Sequence, residues 1–443
     1  LKQNRLDGLK FNTGIFTNLS QDHLDYHKNL KSYLKAKLYL FKTLIKKKGF
    51  VITDKKIPEF KEIKKITLNK KLKLYTLNDK NNNLEIISHS FIGESQLLKI
   101  KYNNSIRNIR VNLIGKIQLK NVLMAIITAK ISGVSLNKIF NVIKKLKPVD
   151  GRFQKIGKIK NLSKVILDYA HTPEALKTCL LNLREQFPNK NIKVLFGCGG
   201  NRDHNKRSKM GKIASHYADN IILTNDNPRL ENPEKIRKDI KKGIKNKRII
   251  EISDRATAIS EAIKNLNTGD VLLVAGKGHE KIQEIGNKRI YFSDKQVILN
   301  KIKVKNRNLS YDLKLNAIKE VARIQKLSRS ISIETARINS QEVSKNDIFF
   351  AIKGKKNDGN RFVAESFKRK ASLAVVNKIQ NKFNSTHQIK VKNTLKFLTD
   401  TSKVLRKCMD TKIVAITGSC GKTTLKELLA YVLRQTSKVS ISP

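Results

Sequence analysis

Three short stretches carry charged side chains directly after apolar runs: Gly199-Gly200-Asn201-Arg202-Asp203, Asp226-Asn227-Pro228-Arg229 and Gly276-Lys277-Gly278-His279-Glu280. A guanidinium fork takes a carboxylate bidentately and an acid takes an ammonium, so two forks and one acid suit a substrate with two carboxylates and two amines. Arg202 and Arg229 supply the forks and Glu280 the acid, with Asp226, Asn227 and Gly276 in the same loops. Taken alone, Asp-Asn-Pro-Arg is also an ordinary solvated-turn composition. A second chemistry stands at Thr417-Gly418-Ser419-Cys420-Gly421-Lys422-Thr423-Thr424, after the apolar run Ile413 to Ile416. Gly418 and Gly421 let backbone N–H groups turn toward a phosphate, Lys422 can reach the β and γ phosphates, and the hydroxyl of Thr423 or Thr424 can ligate Mg²⁺. Ile416 stands where the full phosphate-loop pattern has its first glycine, and a plain strand-to-helix turn is the alternative. A third cluster runs from Thr17 to His27 and packs Asp22, His23, Asp25 and His27 ahead of a helix. It could hold a metal, orient a phosphate, or cap that helix with its histidines in solvent.

Side chains of this kind need strands behind them. VILDYAH, KVLFGCGG, NIILTNDNPR and DVLLVAGKGHE each pass from an apolar strand into a polar loop, with helical stretches between. That rhythm predicts an α/β domain with a mostly parallel, Rossmann-like sheet and its ligand loops on one edge. Before it, residues 1–150 mix short strands with amphipathic helices, one marked by Leu30, Leu34, Leu38 and Phe41. Residues of about 300 to 330 carry no strand signal and read as a linker or junction. Beyond it, DIFFAIKGKKNDGNRF and ASLAVVNK predict a small α/β domain, and KIVAITGSCGKTTLKELLAYVLRQ reads as strand, glycine loop and a helix from about Leu425. The expected domains are 1–150, 151–303, 304–408 and 409–443.

At 443 residues the chain is long enough for several folding units, and 39% hydrophobic residues suffice to pack their cores. No apolar run approaches membrane-spanning length, which predicts no membrane insertion. The start, LKQNRLDGLKF, has neither an initiator Met nor a signal-peptide pattern, so the expectation is a cytoplasmic, truncated chain. Cys179, Cys198, Cys408 and Cys420 lie far apart, without the spacing of a zinc ribbon or a disulfide framework. The net charge of +56 raises nucleic-acid binding, but lysine accompanies Ile and Asn from end to end without clustering. Solvated faces account for it, and no specific nucleic-acid partner is expected.

Several of these motifs resemble the Mur ligase family. TNLSQDHLDYH followed by Tyr33-Leu34-Lys35-Ala36-Lys37 is similar to the central domain of the branch that adds diaminopimelate. The resemblance implies that His23 lies beside Mg²⁺, that Lys37 is carbamylated by CO₂ to become an anionic metal ligand, and that Gln3 and Arg5 contact the muramoyl-peptide substrate. Gly115-Lys116-Ile117-Gln118-Leu119-Lys120-Asn121 resembles the family's adenine-side motif, with Asn121 kept and Gln118 in place of its first Asn. Gly151-Arg152-Phe153-Gln154 and Asp168-Tyr169-Ala170-His171-Thr172-Pro173 match signatures of the C-terminal domain. By that resemblance Arg152 approaches the ATP phosphates and Asp168 the ribose hydroxyls; helix capping by Asp168 is the structural alternative. Asp-Asn-Pro-Arg marks family members that select meso-diaminopimelate over lysine, and the TGSCGKTT form resembles the family's ATP loop, with Lys422 as its catalytic lysine.

Thr335-Ala336-Arg337, Asp347 to Gly354 and Asp358-Gly359-Asn360-Arg361-Phe362 resemble the uridine-nucleotide domain of the branch that adds D-alanyl-D-alanine, with Thr335 for the usual Asp and Asn360 for the usual His. Each is also an ordinary strand or turn. The resemblance therefore implies two ligases in series: the later part of one, then the start of another, within a longer bifunctional chain. Its reaction would be ATP- and Mg²⁺-dependent amide formation, passing the γ-phosphoryl of ATP to the D-glutamyl carboxylate of a UDP-N-acetylmuramoyl peptide before attack by a diaminopimelate amine. A folate polyglutamylase or cyanophycin synthetase shares the phosphate loop but should lack the Asp-Asn-Pro-Arg pocket. A basic nucleic-acid binder would instead bind duplex DNA with a steep salt dependence.

Overall fold

Strands buried on both faces need no alternation, and the runs Ile192–Phe196 (β9) and Val271–Ala275 (β12) are buried at every residue. In the computed structural model they lie side by side in a six-stranded sheet. The structure describes residues 6, 8–19, 29–77, 84–102, 105–245, 247–323, 331–354, 357–407, 414–417, 422–435 and 439–441. The chain divides into two compact units, 1–306 and 307–443.

The first unit opens with a parallel sheet of Phe11–Phe16 (β1), Ile45–Asp54 (β2) and Lys73–Leu77 (β3). Helix α1 (Leu30–Tyr39) is capped by Asn29, whose side chain accepts from the Ser32 N–H at 2.9 Å. Of its expected apolar stripe, Leu38 and, in the following turn, Phe41 are buried, whereas Leu30 is exposed. Leu84–Ile92 (β4), Ser95–Tyr102 (β5) and Ser105–Val111 (β6) form an antiparallel sheet. Its inward residues Leu98, Ile100, Ile109 and Val111 share a core with Ile52, Leu77 and the apolar face of helix Lys116–Ile131.

The six-stranded sheet follows, in the order β11-β10-β9-β12-β8-β7. Its parallel members are Lys164–Asp168 (β8), β9, Asn220–Leu223 (β10), Ile249–Glu251 (β11) and β12; only Gln154–Lys155 (β7) runs antiparallel. Ala275 pairs with Asp168, Val274 with Leu195, and Leu223 with Phe196, so these strands end nearly level. Four loops therefore emerge on one edge of the sheet, where a doubly wound fold presents its ligands. Leu176, Leu180 and Leu183 of helix Pro173–Gln186, and Met210 and Ala214 of helix Asn205–Tyr217, pack on the sheet through Ile166, Val194, Phe196 and Leu273. Helix starts are set locally: the side chains of Thr172, Asn232 and Asp254 each supply a cap acceptor, and Pro173 and Pro233 follow the first two at the first helical turn.

The stretch expected to be a linker or junction does hold the division between the units, but as far as Ala322 it is the later part of a 29-residue helix, Asp294–Ala322. No Gly or Pro interrupts these residues, so backbone propensity favours helix although the apolar pattern is weak. In the second unit, Ala336–Arg337, Ile348–Phe350, Leu373–Val376 and Gln388–Lys390 form a parallel sheet in sequence order. Strand alternation sorts its core: Ile348, Phe350, Leu373 and Val375 face one cluster, and Phe349, Ala374 and Val376 the other. Helix Lys422–Arg434 begins three residues before the expected start, and 414–417 are not in a strand.

Arg255 and Asp294 are both fully buried and pair through two hydrogen bonds, 2.8 and 2.7 Å, with a further bond of 2.9 Å from the guanidinium to the Ala275 carbonyl. Removing one partner leaves the other charge buried and uncompensated. Asp294→Ala is expected to destabilise the first unit by about 3–5 kcal/mol, read as a lower thermal midpoint by circular dichroism. An unchanged midpoint would refute this role.

Candidate active site

Three of the four loops on the sheet edge bring the expected amino-acid-binding residues together. A Cβ placed on Gly199 would meet Arg229 Nη1 at 3.0 Å and Arg202 Cγ at 3.9 Å, so the two arginines flank this glycine. Arg229 is oriented by Glu284, which accepts from Nε at 2.8 Å, and by the Gly200 carbonyl, which accepts from Nη1 at 2.8 Å. The Asn227 amide donates to Glu280 Oε2 at 3.2 Å, which joins the second loop to the third. Gly276 adopts φ +114° and its missing side chain leaves room for Asp226, whose Oδ2 would lie 2.6 Å from a Cβ there. That oxygen is buried without a hydrogen-bond partner among the described residues.

Glu280 is the most heavily supported acid of the group. Tyr169 donates its hydroxyl to Oε1 at 3.1 Å, and the Lys277 ammonium reaches Oε2 at 3.2 Å. Burial pushes the Glu280 carboxyl up, but Lys277, Tyr169 and Asn227 more than offset this and hold it below the usual carboxylate range. The phenol of Tyr169 moves the other way, raised by burial and by the adjacent carboxylate. Neither Lys277 nor Tyr169 stood out as a site residue in the sequence, although both lie inside the motifs GKGHE and DYAHTP.

Tyr169 also reaches the next cavity. A space of about 520 Å³ is lined by Asn18, Gln118, Asn121, Arg152, Asp168, Tyr169 and His171, among others. Its size is that of a small-molecule site. The Arg152 guanidinium lies over the Tyr169 ring, 4.5 Å from its centre, and is held in the lining. Gln118, the departure from the family's Asn, donates its side-chain amide to the Arg152 carbonyl at 3.0 Å. Asp168 accepts from the Phe153 N–H at 2.7 Å, from the Ala170 N–H at 2.8 Å and from the Cys179 thiol at 3.3 Å. Burial raises its carboxyl despite these donors. It does not cap the following helix; Thr172 does. Gly151, at φ +62°, allows this turn to pass against the third loop, where a Cβ would strike the His279 N at 2.2 Å.

Other expected residues are not brought together. Gln3, Arg5, His23, Gly418 and Gly421 lie outside the described residues. Lys37 is half-buried on α1, its ammonium 4.7 Å from the Tyr33 ring centre. Lys422, Thr423 and Thr424 are exposed in the first turn of their helix, in the other unit. Among the described residues there is no group of three or more His, Cys, Asp or Glu side chains that could hold a metal ion. In the second unit, Asp347 is bound by its own chain: it accepts from the Thr335 and Ser344 N–H groups, both at 3.0 Å, and from Arg337 Nε at 3.2 Å. Asn360 turns to Asp358 and Asn377. Among the described residues no helix is long and apolar enough to cross a membrane.

Residues 1–129 match the Mur ligase middle domain and residues 151–278 the Mur ligase glutamate ligase domain. The chain belongs to the Mur ligase family, and its α/β architecture is that of Mur ligases. A relative from Rickettsia typhi, a UDP-N-acetylmuramoyl-L-alanyl-D-glutamate–2,6-diaminopimelate ligase, is 40% identical over 300 residues, 67% of this chain and 60% of its own length. A ligase of the same name from Leptospira interrogans is 40% identical over 301 residues, covering 66% of this chain and 59% of that protein. The chain thus spans about three fifths of the curated relatives it matches. A solved structure of such a ligase shares 32% identity at a TM-score of 0.48, over 69% of this chain and 62% of that one.

Because Glu280 has a lowered folded-state pKa, its ionised form adds stability that is fully present above its unfolded value and is lost as pH falls through the folded one. Glu280→Gln is therefore expected to lower stability by about 1 kcal/mol at pH 7, a figure kept small because the group is partly exposed. The difference should vanish in strong acid. Urea midpoints of parent and variant, followed from neutral pH into acid as far as the fold persists, check this; a deficit that does not shrink as the pH falls would contradict it.

Proposed function

We propose that residues 1–306 form the later part of an ATP-dependent amide ligase that adds meso-diaminopimelate to UDP-N-acetylmuramoyl-L-alanyl-D-glutamate in cytoplasmic peptidoglycan precursor synthesis. One observation carries this reading: Arg202, Arg229, Asp226 and Glu280 stand on three contacting loops of one sheet edge, beside a cavity lined by Asn121, Arg152 and Asp168. The 40% identity to diaminopimelate ligases supports it independently. Two guanidinium groups and two carboxylates are the complement of a molecule with two carboxylates and two ammonium groups.

Within this chain the division of labour follows the geometry. The arginines seat the carboxylates of the amino acid, and Glu280 with the unpaired oxygen of Asp226 seats an ammonium, leaving the other amine to face the acyl donor. Arg152, braced on Tyr169, faces the nucleotide phosphates, while Asn121 lies on the adenine side and Asp168 beside the ribose. ATP, when bound, supplies the phosphoryl group that activates the D-glutamyl carboxylate; His23, Lys37 and Gln3 and Arg5 belong to the metal and muramoyl-peptide sides of the same reading. Orientation of two bound partners accounts for most of the acceleration such a site can give. Residues 307–443 are read as the start of a D-alanyl-D-alanine-adding ligase, with Lys422 and Thr423 in its ATP loop, on the order of their motifs; both family matches end before this unit.

Titration calorimetry on the whole chain tests the reading. It expects meso-diaminopimelate to bind, and L-lysine, which lacks one carboxylate, to bind at least about a hundredfold more weakly, since a fork is left unpaired. Arg229→Ala should remove most of that difference. Equal binding of the two amino acids, or preferential binding of L-glutamate, would overturn it.

A further inference from the structure

Lys277 is completely buried, a rare state for lysine, and its ammonium is saturated by three acceptors: Asn227 Oδ1 at 2.9 Å, Glu280 Oε2 at 3.2 Å and the Ile282 carbonyl at 2.6 Å. Those acceptors belong to the second loop, to the third loop and to the start of the hairpin strand Ile282–Ile285. The Asn227 oxygen accepts a second donor, the Glu284 N–H at 3.2 Å, which leaves its amide NH₂ pointing at Glu280 Oε2, 3.2 Å away. Turned the other way, that NH₂ would confront both an ammonium and an N–H. Lys277 itself has no exposed surface with which to meet a ligand.

We propose that Lys277 is a positioning residue for amino-acid recognition: by holding Asn227 Oδ1 and Glu280 Oε2 together, it gives two separate loops one shared geometry and aims the Glu280 carboxylate at the ammonium of the substrate. This rests on the reading of the three loops as the diaminopimelate pocket. The ammonium balances the Glu280 charge, so the acid stays ionised in a half-buried place. The Ile282 carbonyl anchors the whole assembly to the hairpin that also carries Glu284, the partner of Arg229. A single buried cation thus reaches, through one strand, both the acid and the fork that the substrate requires.

A lysine that only filled space would weaken binding independently of Glu280, and a double-mutant cycle separates the two cases. Calorimetry on the full chain would use meso-diaminopimelate as probe and ADP as a control at the neighbouring cavity, with Lys277→Met, Glu280→Gln and the double variant. Lys277→Met is expected to weaken diaminopimelate binding about tenfold or more, and the double variant to bind no worse than Glu280→Gln alone, with ADP affinity unchanged. Unaltered diaminopimelate binding by Lys277→Met, or losses that multiply in the double variant, would overturn the proposal. If Glu280→Gln itself binds like the parent, the pocket reading fails rather than this inference alone. Should Lys277→Met not fold, Asn227→Ser replaces it in the same cycle, with the same non-additive outcome expected and a multiplicative one overturning the proposal.

Discussion

A charge taken out of water must find partners, and in this protein that requirement sets the geometry of the ligand edge. Lys277, Arg255 and Arg207 are completely buried, and each is met by acids or carbonyls: Lys277 by Asn227 of another loop and by Glu280 of its own, Arg255 by Asp294, and Arg207 by Glu231 and Asp239. These ties fall on the loops and helices around the strand ends, so loops that would otherwise move independently share fixed ion pairs. The apolar sheet beneath provides the level edge; the buried cations decide how the loops lie upon it.

The cavity beside Arg152 and the loop that carries Glu280 are neighbours because of the same arrangement. Tyr169 presents its ring to Arg152 in the cavity and its hydroxyl to Glu280 on the third loop. The turn at Gly151 packs against the loop at His279, so the signature that carries Arg152 and the one that carries Glu280 are in direct contact. On the proposed reading this proximity has a chemical sense, since an activated acyl group and an incoming amine must meet.

Much of the first unit was legible because its strands are continuous apolar runs ending in polar loops: VILD, IKVLF, NIIL and VLLVA became β8, β9, β10 and β12 with loops on a common edge. What pattern alone does not disclose is which polar residue in a loop turns inward. Lys277 looked like any solvated lysine in a chain with 92 Lys and Arg residues, and the acceptors of distant Asn227 and of nearby Glu280 and Ile282 make its burial possible. Asp168 read as a ribose contact or a cap, yet two backbone N–H groups and a thiol converge on it while Thr172 takes the capping role. The long helix Asp294–Ala322 was missed because its apolar residues do not form a stripe; Ile298 and Ile302 are buried at one end and Leu315 and Ile318 at the other.

The most direct test of the account is a crystal structure of the chain with meso-diaminopimelate. It should show the amino acid on the sheet edge, one carboxylate against Arg202 and another against Arg229, with an ammonium between Glu280 and Asp226. Amino acid bound away from those four side chains, or carboxylates directed at other cations, would contradict it.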